Sequence, residues 1–195
     1  MLVLALTLAV AAPPGYRETR SDVAGGCDLF LGQADSEGVV PMRAECDWPD
    51  VTVAQFEAAY GDWASHDEIY GNISSSVVLS SEGTTHSVRQ TFEAGGIKTR
   101  EMIIVGSRED VPGGVKYSWH KQAGDQGITT NNVEVTRSTG YWLVTERAEG
   151  GVHAEYELSY DPGGSVPGFL VRWFQGSGLQ GIIEDTRNAV VAAGG

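Results

Sequence analysis

The sequence predicts an α+β fold in which a curved antiparallel β-sheet is wrapped around one long C-terminal helix. Two observations lead to this prediction. Before residue 161 the chain consists of short runs of alternating apolar residues separated by turn residues, as in antiparallel strands. After the turn Asp161–Gly164, apolar residues recur at three- and four-residue spacing, as in a helix that buries one face. Together they predict a pocket between sheet and helix, an internal hydrophobic cavity.

Composition bounds the functions that this chain can have. Its 195 residues predict a single domain with a sizeable core. The net charge of −13 argues against a nucleic-acid partner, because phosphate binding needs a basic surface. It also argues against electrostatic attraction to anionic membranes.

The first residues have the features of a targeting segment. Residues 1–12 form a short apolar run that ends in an A-x-A pattern, Ala9–Ala11, and two prolines follow. This pattern predicts a secretory signal peptide, although no Lys or Arg precedes the apolar run. The alternative is a misassigned start or a buried helix, in which case the protein is cytoplasmic. We interpret residues 13–26 as a polar linker and residues 27–193 as the ligand-binding domain.

The two cysteines fall in a predicted hairpin. It joins residues 27–34 to residues 39–46 through the turn residues Asp35–Gly38. A turn centred in this segment places Cys27 opposite Cys46, where a cross-strand disulfide fits. The pattern predicts a structural disulfide in an exported protein. Two free buried thiols in a cytoplasmic protein are the alternative.

A helix is predicted after the hairpin, beginning at Thr52. Thr52 and Gln55 have the spacing of a capping box. Four apolar residues then share one helical face, which we expect to pack on the sheet. These residues are Val53, Phe56, Tyr60 and Trp63. Residues 64–72 are predicted to be a loop.

Seven more strands are predicted before the terminal helix. The clearest runs from Val152 to Tyr160, where apolar and polar residues alternate strictly, so that one face is dry and the other wet. We interpret Ser107–Gly114 as a loop between two of the strands. The predicted strands cover residues 75–81, 86–93, 100–106, 115–121, 131–137, 140–148 and 152–160.

The terminal helix carries two apolar stripes on roughly opposite sides. The first consists of Val166, Phe169, Leu170 and Trp173. The second consists of Leu179, Ile182, Ile183, Thr186 and Val190. Gly176 and Gly178 lie between the stripes, and such glycine pairs are a known cause of helix bends. We therefore predict a kink or break at this point.

No catalytic or metal-binding constellation is visible in the sequence. The four histidines, His66, His86, His120 and His153, lack the spacing of zinc ligands, and we interpret them as solvated or edge residues. Gly176–Gly181 matches G-x-G-x-x-G, but the chain ends fourteen residues later, without the βαβ unit that dinucleotide binding needs. We expect no metal, no cofactor and no catalytic residue.

Three C-terminal segments, Asp161–Pro167, Leu170–Trp173 and Thr186–Val190, follow one another in a recognisable order. In this order they resemble the close of START domains, the lipid-transfer modules of the helix-grip fold. The resemblance extends back through Arg100–Ile103 to the strands near Cys27. It implies a helix-grip fold with an internal hydrophobic cavity, a lipid as partner, and transient contact with a membrane. We expect such a protein to act as a monomer.

The resemblance also implies a polar site inside the cavity. START domains often place an arginine at the position of Arg100, opposite an acid one strand earlier. This chain departs from that pattern, since Gln90 lies near the acid's expected place, or Glu93 after a register shift. A buried Arg100 would then need a ligand head group, or Gln90 with waters, as its partner. Alternatively, Arg100 extends to the cavity rim. The loop Ser107–Gly114 either gates the cavity, as the resemblance implies, or is a plain hairpin.

The leading hypothesis is an exported protein, not an enzyme, that binds a lipid or sterol-like ligand for transfer or sensing. The predicted cavity lining is Arg100, Met102, Ile104, Tyr117, Trp119, Tyr141, Leu143, Tyr156 and Leu158 from the sheet, with Phe169, Leu170 and Trp173 from the helix. An enzyme of the polyketide cyclase or aromatase type is the alternative, and it would need an acid–base residue inside the cavity. A third hypothesis is an interaction module whose interior is packed solid.

Overall fold

The protein is one large antiparallel sheet with a C-terminal helix against its inner face, as the sequence predicts. A computed structural model describes residues 12–93, 95–124, 126–128 and 131–194. The predicted signal peptide therefore lies, except for its last residue, outside the described residues. The strands of the described residues are β1 (Tyr16–Val23), β2 (Cys27–Gly32), β3 (Met42–Trp48), β4 (Ile73–Glu82), β5 (Thr85–Phe92), β6 (Arg100–Val111), β7 (Gly114–Lys121), β8 (Val133–Glu134), β9 (Arg137–Glu146) and β10 (Val152–Asp161).

The strand order brings an early strand, β3, and the last strand, β10, together in the middle of the sheet. Across the sheet the order is β1-β2-β3-β10-β9-β7-β6-β5-β4, and the short β8 pairs in parallel with β6. The sheet is strongly bent, as the rings of Phe92 on β5 and Tyr160 on β10 show: they lie 6.3 Å apart. In a flat sheet, the spacing of about 4.8 Å per strand would separate these strands by roughly 19 Å.

Glycines make room for the aromatic side chains on the concave face. Gly106 and Gly140 lie on either side of Trp119 across the ladder. A Cβ atom at Gly140 would lie 2.5 Å from the Trp119 ring, and one at Gly106 would lie 2.6 Å from the Trp63 ring. Two large indoles therefore occupy space that side chains at these strand positions would otherwise fill.

The predicted disulfide is present. Cys27 pairs with Cys46 across β2 and β3, and their sulfurs are bonded. The register follows from the turn at Asp35, whose carboxylate accepts hydrogen bonds from the backbone amides of Glu37 and Val39. The bridge ties the outer pair of strands, β1 and β2, to the centre of the sheet.

Two segments that we expected to be irregular belong to the sheet. Tyr16–Val23 was predicted to be part of a linker but forms β1 against β2. Half of its side chains are charged and most are exposed, as suits an edge strand, so no alternation signals it. Ser107–Gly114 was predicted to be a loop, but residues 107–111 continue β6 and pair with β7 up to a tight turn at Pro112 and Gly113. This hairpin lies against the first helix, where Arg108 binds Glu57.

The first helical region also packs on the concave face. Helix α1 (Val53–Tyr60) begins at Thr52, and the predicted capping box with Gln55 is present. The next segment was predicted to be a loop but contains a 3₁₀ turn (Trp63–Ser65) and the short helix α2 (His66–Ile69). Both are anchored by Trp63 and His66, which are buried.

The terminal helix is continuous but changes its hydrogen-bonding pattern at the predicted glycines. It consists of α3 (Gly168–Trp173), a π-helical turn (Phe174–Gly178) and α4 (Leu179–Ala192). A π-turn inserts an extra residue and thereby rotates α4 relative to α3, so the two apolar stripes need not share one face. The second stripe is buried at Leu179, Ile183, Thr186 and Val190, as predicted. In the described residues no helix combines the length and the apolar character needed to cross a bilayer.

Candidate ligand-binding cavity

A cavity of about 830 Å³ lies between the concave face of the sheet and the terminal helix. This volume falls in the range of roughly 300–1,000 Å³ that is typical of small-molecule sites. Most of its wall is apolar or aromatic. The predicted lining residues that the structure places on this wall are Arg100, Met102, Ile104, Trp119, Tyr156, Leu158, Phe169, Leu170 and Trp173.

The strand residues of this wall follow from alternation and register. Met102 and Ile104 share a face of β6 with Arg100, and the three are buried. Tyr156 and Leu158 share a face of β10 with Ala154 and Val152, as predicted from the alternating pattern. These inner positions meet across the cavity because the sheet is bent.

Two predicted residues lie on the other side of the sheet. Trp142 is the β9 residue that pairs with Tyr156, and its ring packs 4.7 Å from the Tyr156 ring on the concave face. Its neighbours Tyr141 and Leu143 therefore face the convex side. There the Tyr141 hydroxyl accepts a hydrogen bond from Arg43 Nη1 at 2.8 Å. The predicted facing of Tyr141 and Leu143 was wrong because four consecutive apolar residues give no alternation to read.

Tyr117 faces inward but is not part of the cavity wall. Its ring lies 5.2 Å from Tyr60 and 6.2 Å from Phe56, under α1. A Cβ atom at Gly61 would lie 2.9 Å from the Tyr117 hydroxyl, which places that hydroxyl at the end of α1. Tyr117 thus supports the helix that closes one end of the cavity.

The helical part of the wall is its rim. Phe169 is 62% exposed and Trp173 is 54% exposed, although both line the cavity. The apolar stripe of α3 is thus only partly covered by the sheet, in contrast to the buried stripe of α4. Behind it, the Phe174 ring packs 5.2 Å from the Tyr160 ring. This end of the cavity is the open end.

Arg100 lies inside the protein near the open end. It is 4% exposed, and its Nη1 donates to the backbone oxygen of Lys98. Its Nε is sealed from solvent and has no hydrogen-bond partner. Burial raises the pKa of the neighbouring Tyr160, and the positive charge of Arg100 opposes this effect. Within the described residues Arg100 forms no ion pair with a carboxylate.

Gln90, the expected polar partner, takes part in a different network. Ser76 donates to the backbone oxygen of Trp63 at 2.6 Å, so its oxygen accepts from the Gln90 amide at 3.3 Å. The same amide nitrogen lies 3.4 Å from His66 Nδ1, which therefore accepts, and His66 Nε2 donates to the backbone oxygen of Tyr60 at 3.0 Å. His66 is neutral in this arrangement, and burial lowers its pKa.

His66 corrects the prediction that all four histidines are solvated or edge residues. It is 2% exposed, and its ring lies 4.8 Å from Tyr60 and 4.9 Å from Trp63. It lines the cavity together with these aromatic residues and Tyr70. The sequence offered one signal for this cluster, the aromatic face of the predicted first helix. It did not show that the segment after that helix folds back against the sheet.

Among the described residues, no group of three or more histidine, cysteine, aspartate or glutamate side chains is arranged to hold a metal ion. The polar groups of the cavity are thus an arginine at the open end and tyrosine, histidine and glutamine side chains farther in. This arrangement can bind an amphipathic molecule by burying its apolar part and hydrogen-bonding its polar groups.

No protein-family model matches the chain, and no curated protein sequence matches it. Solved structures, in contrast, do match the fold of this chain. A STAR-related lipid transfer protein fragment from Xanthomonas axonopodis superposes with a TM-score of 0.78 at 16% identity, covering 90% of this chain and 98% of that one. Human STARD10 gives 0.75 at 12% identity, covering 90% and 74%. The di-domain aromatase/cyclase BexL gives 0.51 at 10% identity, covering 90% and 79%. The protein therefore has the START-like helix-grip fold.

Proposed function

We propose that the protein binds a lipid or another hydrophobic small molecule in the cavity between its sheet and terminal helix. The observation that carries this proposal is the cavity itself, whose walls are largely apolar and whose open end is formed by α3. A ligand tail that buries ~300 Å² of apolar surface would gain about 7.5 kcal/mol at ~25 cal/mol per Å², before the costs of ordering. One of the proteins that share the fold, the Xanthomonas axonopodis fragment, is named as a STAR-related lipid transfer protein.

Arg100 orients one polar end of the ligand in this proposal. An arginine that is buried without a carboxylate is costly, and a head group that accepts hydrogen bonds would lower that cost. The Nη2 hydrogens are left for this purpose, because Nη1 donates to Lys98 and Nε is sealed from the cavity. A carboxylate or phosphate group fits them best, since charge-assisted hydrogen bonds are the stronger ones.

We propose binding rather than catalysis. A cyclase or aromatase needs a side chain in the cavity that can exchange a proton with the substrate. His66 is a titratable residue of the cavity wall, but both of its ring nitrogens already take part in hydrogen bonds, with Tyr60 and Gln90. Its geometry supports a positioning role within the wall.

We further propose that the protein is exported and acts as a monomer that contacts membranes transiently. The disulfide between Cys27 and Cys46 supports an oxidising compartment. The exposed Phe169 and Trp173 at the open end are the side chains that would meet a membrane during loading.

The test is ligand capture by delipidated protein. The protein is soaked in a total lipid extract and analysed by native mass spectrometry, and we expect one class of bound lipid. Leu158→Trp adds a large ring inside the cavity and should abolish capture. Leu143→Trp makes the same change on the convex face and should leave capture intact. Capture of no ligand by the wild-type protein, or equal capture by both variants, would contradict the proposal.

A further inference from the structure

The closed end of the cavity carries two hydroxyl groups without partners. Tyr60, at the end of α1, and Tyr156, on β10, are 4% and 3% exposed, and both line the cavity. In the part of the chain that the structure describes, neither hydroxyl forms a hydrogen bond. Neither is among the unpaired atoms that are sealed completely, so each keeps accessible surface inside the cavity.

The rings around these hydroxyls hold them in place. Trp142 lies 4.7 Å from Tyr156, and Phe56 lies 5.4 Å from Tyr60 and 5.5 Å from Trp142. Burial raises the pKa values of the Tyr60 and Tyr156 phenols well above their usual range. The negative charge that Tyr156 would carry after losing its proton raises the pKa of Tyr60 further. Both groups are therefore protonated and can donate a hydrogen bond.

The side chains of Tyr70, His66 and Gln90 at this end are already hydrogen-bonded. The Thr186 hydroxyl donates to the backbone oxygen of Ile182 at 2.8 Å, so the Tyr70 hydroxyl donates to Thr186 at 2.9 Å. His66 and Gln90 are hydrogen-bonded to one another. The charged residues of the cavity wall lie elsewhere, with Arg100 at the open end and Glu37, Glu93 and Asp161 on segments around it.

We propose that Tyr60 and Tyr156 form a second polar subsite, which binds an uncharged oxygen acceptor of the ligand, a ketone or hydroxyl group. An ionised group is disfavoured here because no cation compensates it. The inference rests on the proposed function and narrows the ligand class. The ligand is an amphiphile with a head group at Arg100 and an oxygen substituent at its inner end.

The strand geometry gives the separation of the two polar groups. Tyr156 and Tyr160 are four residues apart on β10, and Tyr160 neighbours Arg100. At about 3.3 Å per residue, this places the two subsites roughly 13 Å apart. An acyl chain or a fused-ring skeleton of that length fits within the cavity.

The experiment measures the affinity of delipidated protein for keto fatty acids. Their carbonyl is placed at increasing distance from the carboxylate, and each is compared with the unsubstituted acid of the same length. Every probe is offered as the acid and as its methyl ester. Tight binding of the carboxylate by Arg100 then cannot hide a difference in affinity that arises at the inner end of the cavity. The protein variants are Tyr60→Phe, Tyr156→Phe and the double variant. Tyr117→Phe is the matched control, because that hydroxyl lies outside the cavity.

We expect the wild-type protein to bind the best keto probe about tenfold more tightly than its unsubstituted partner, the effect of one or two net hydrogen bonds. The preference should peak at a carbonyl distance of about 13 Å, disappear in the double variant and persist in Tyr117→Phe. The double variant should still bind the unsubstituted probe. A wild-type protein that binds both probes equally, or a double variant that keeps the preference, would overturn the inference. Failure to bind any probe would count against the proposed function instead.

Discussion

At the scale of single residues, Arg100 is a buried cation to which the described residues offer no carboxylate partner. Its Nε is enclosed without a partner, and the amide that could have faced it, Gln90, is bonded to Ser76 and His66. A buried polar group without a partner costs roughly 1–3 kcal/mol. Such a residue makes sense where a ligand completes its environment.

Arg100→Met should therefore stabilise the ligand-free protein by about 1 kcal/mol, because the methionine fills the same space without a polar group. It should also weaken the binding of an acidic ligand at least tenfold. Urea denaturation and ligand titration measure the two effects. Arg89→Met is the control, because Arg89 also has an enclosed Nε without a hydrogen-bond partner but lies 3.7 Å from the Glu101 carboxylate. A loss of stability in Arg100→Met would mean that the protein satisfies Arg100 by itself.

His66 predicts a pH dependence of stability. Burial lowers its pKa below the ordinary value of 6.5. Between the lowered pKa of His66 in the folded state and 6.5, the unfolded state binds a proton that the folded state does not. The free energy of unfolding therefore falls as the pH drops below about 6.5. The slope approaches about 1.4 kcal/mol per pH unit.

His66→Gln should remove this part of the pH dependence. We expect the loss in unfolding free energy between about pH 7 and pH 5 to be smaller in the variant, by at most about 2 kcal/mol. Carboxylates with lowered pKa, such as Asp35 and Asp110, affect both proteins alike and cancel in the difference. His153→Gln, at a surface position beside Asp47, is the control. Identical slopes for wild type and His66→Gln would contradict the assignment of His66 as a buried neutral base.

At the scale of elements, the terminal helix performs two tasks with two different faces. The α4 segment packs its stripe into the core, whereas α3 leaves Phe169 and Trp173 at the rim of the cavity. The π-turn between them makes this division compatible with one continuous helix. We expect α3 to be the less stable half, because it buries less apolar surface.

The two glycines of the π-turn should respond differently to substitution. A Cβ atom at Gly178 would lie 2.9 Å from the Phe174 ring, whereas at Gly176 the closest atom is Arg20 Nη2 at 3.8 Å. Gly176→Ala should stabilise the protein by about 0.5–1 kcal/mol through helix propensity. Gly178→Ala should give a smaller gain or a loss, because the Phe174 ring must move. Urea denaturation measures both, and equal gains would show that the ring moves freely.

At the scale of the whole molecule, the sheet is continuous because an early strand of the chain pairs with its last strand. β3 pairs with β10, and β1 and β2 depend on β3 for their place in the sheet. The disulfide joins β2 to β3 covalently, and it closes a loop between residues 19 positions apart.

Breaking the disulfide should lower the unfolding free energy by about 3 kcal/mol, since the cross-link limits the entropy of the unfolded chain. Guanidinium denaturation of the oxidised protein, the reduced protein and the Cys27→Ala/Cys46→Ala variant measures this effect. Reductant should not change the stability of the variant, which serves as the control. An unchanged midpoint on reduction of the wild-type protein would contradict a stabilising role.

A large part of this architecture follows from the sequence. The capping box at Thr52, the alternation from Val152 to Tyr160 and the stripe of α4 are local patterns with fixed periods, so they predict the correct element and the correct face. The Cys27–Cys46 register follows from the turn chemistry alone. These predictions succeed because each depends on residues that are close together in the chain.

The tertiary structure decided what depends on distant residues. The charged segment Tyr16–Val23 becomes a strand only because β2 offers it an edge. The facing of Tyr141 and Leu143 is set by the pairing of Trp142 with Tyr156, and His66 is buried only because the segment after α1 folds against β4 and β5. Above all, whether sheet and helix meet tightly or leave a cavity depends on how far the sheet bends, a property of many strand pairs together that no single stretch of sequence encodes.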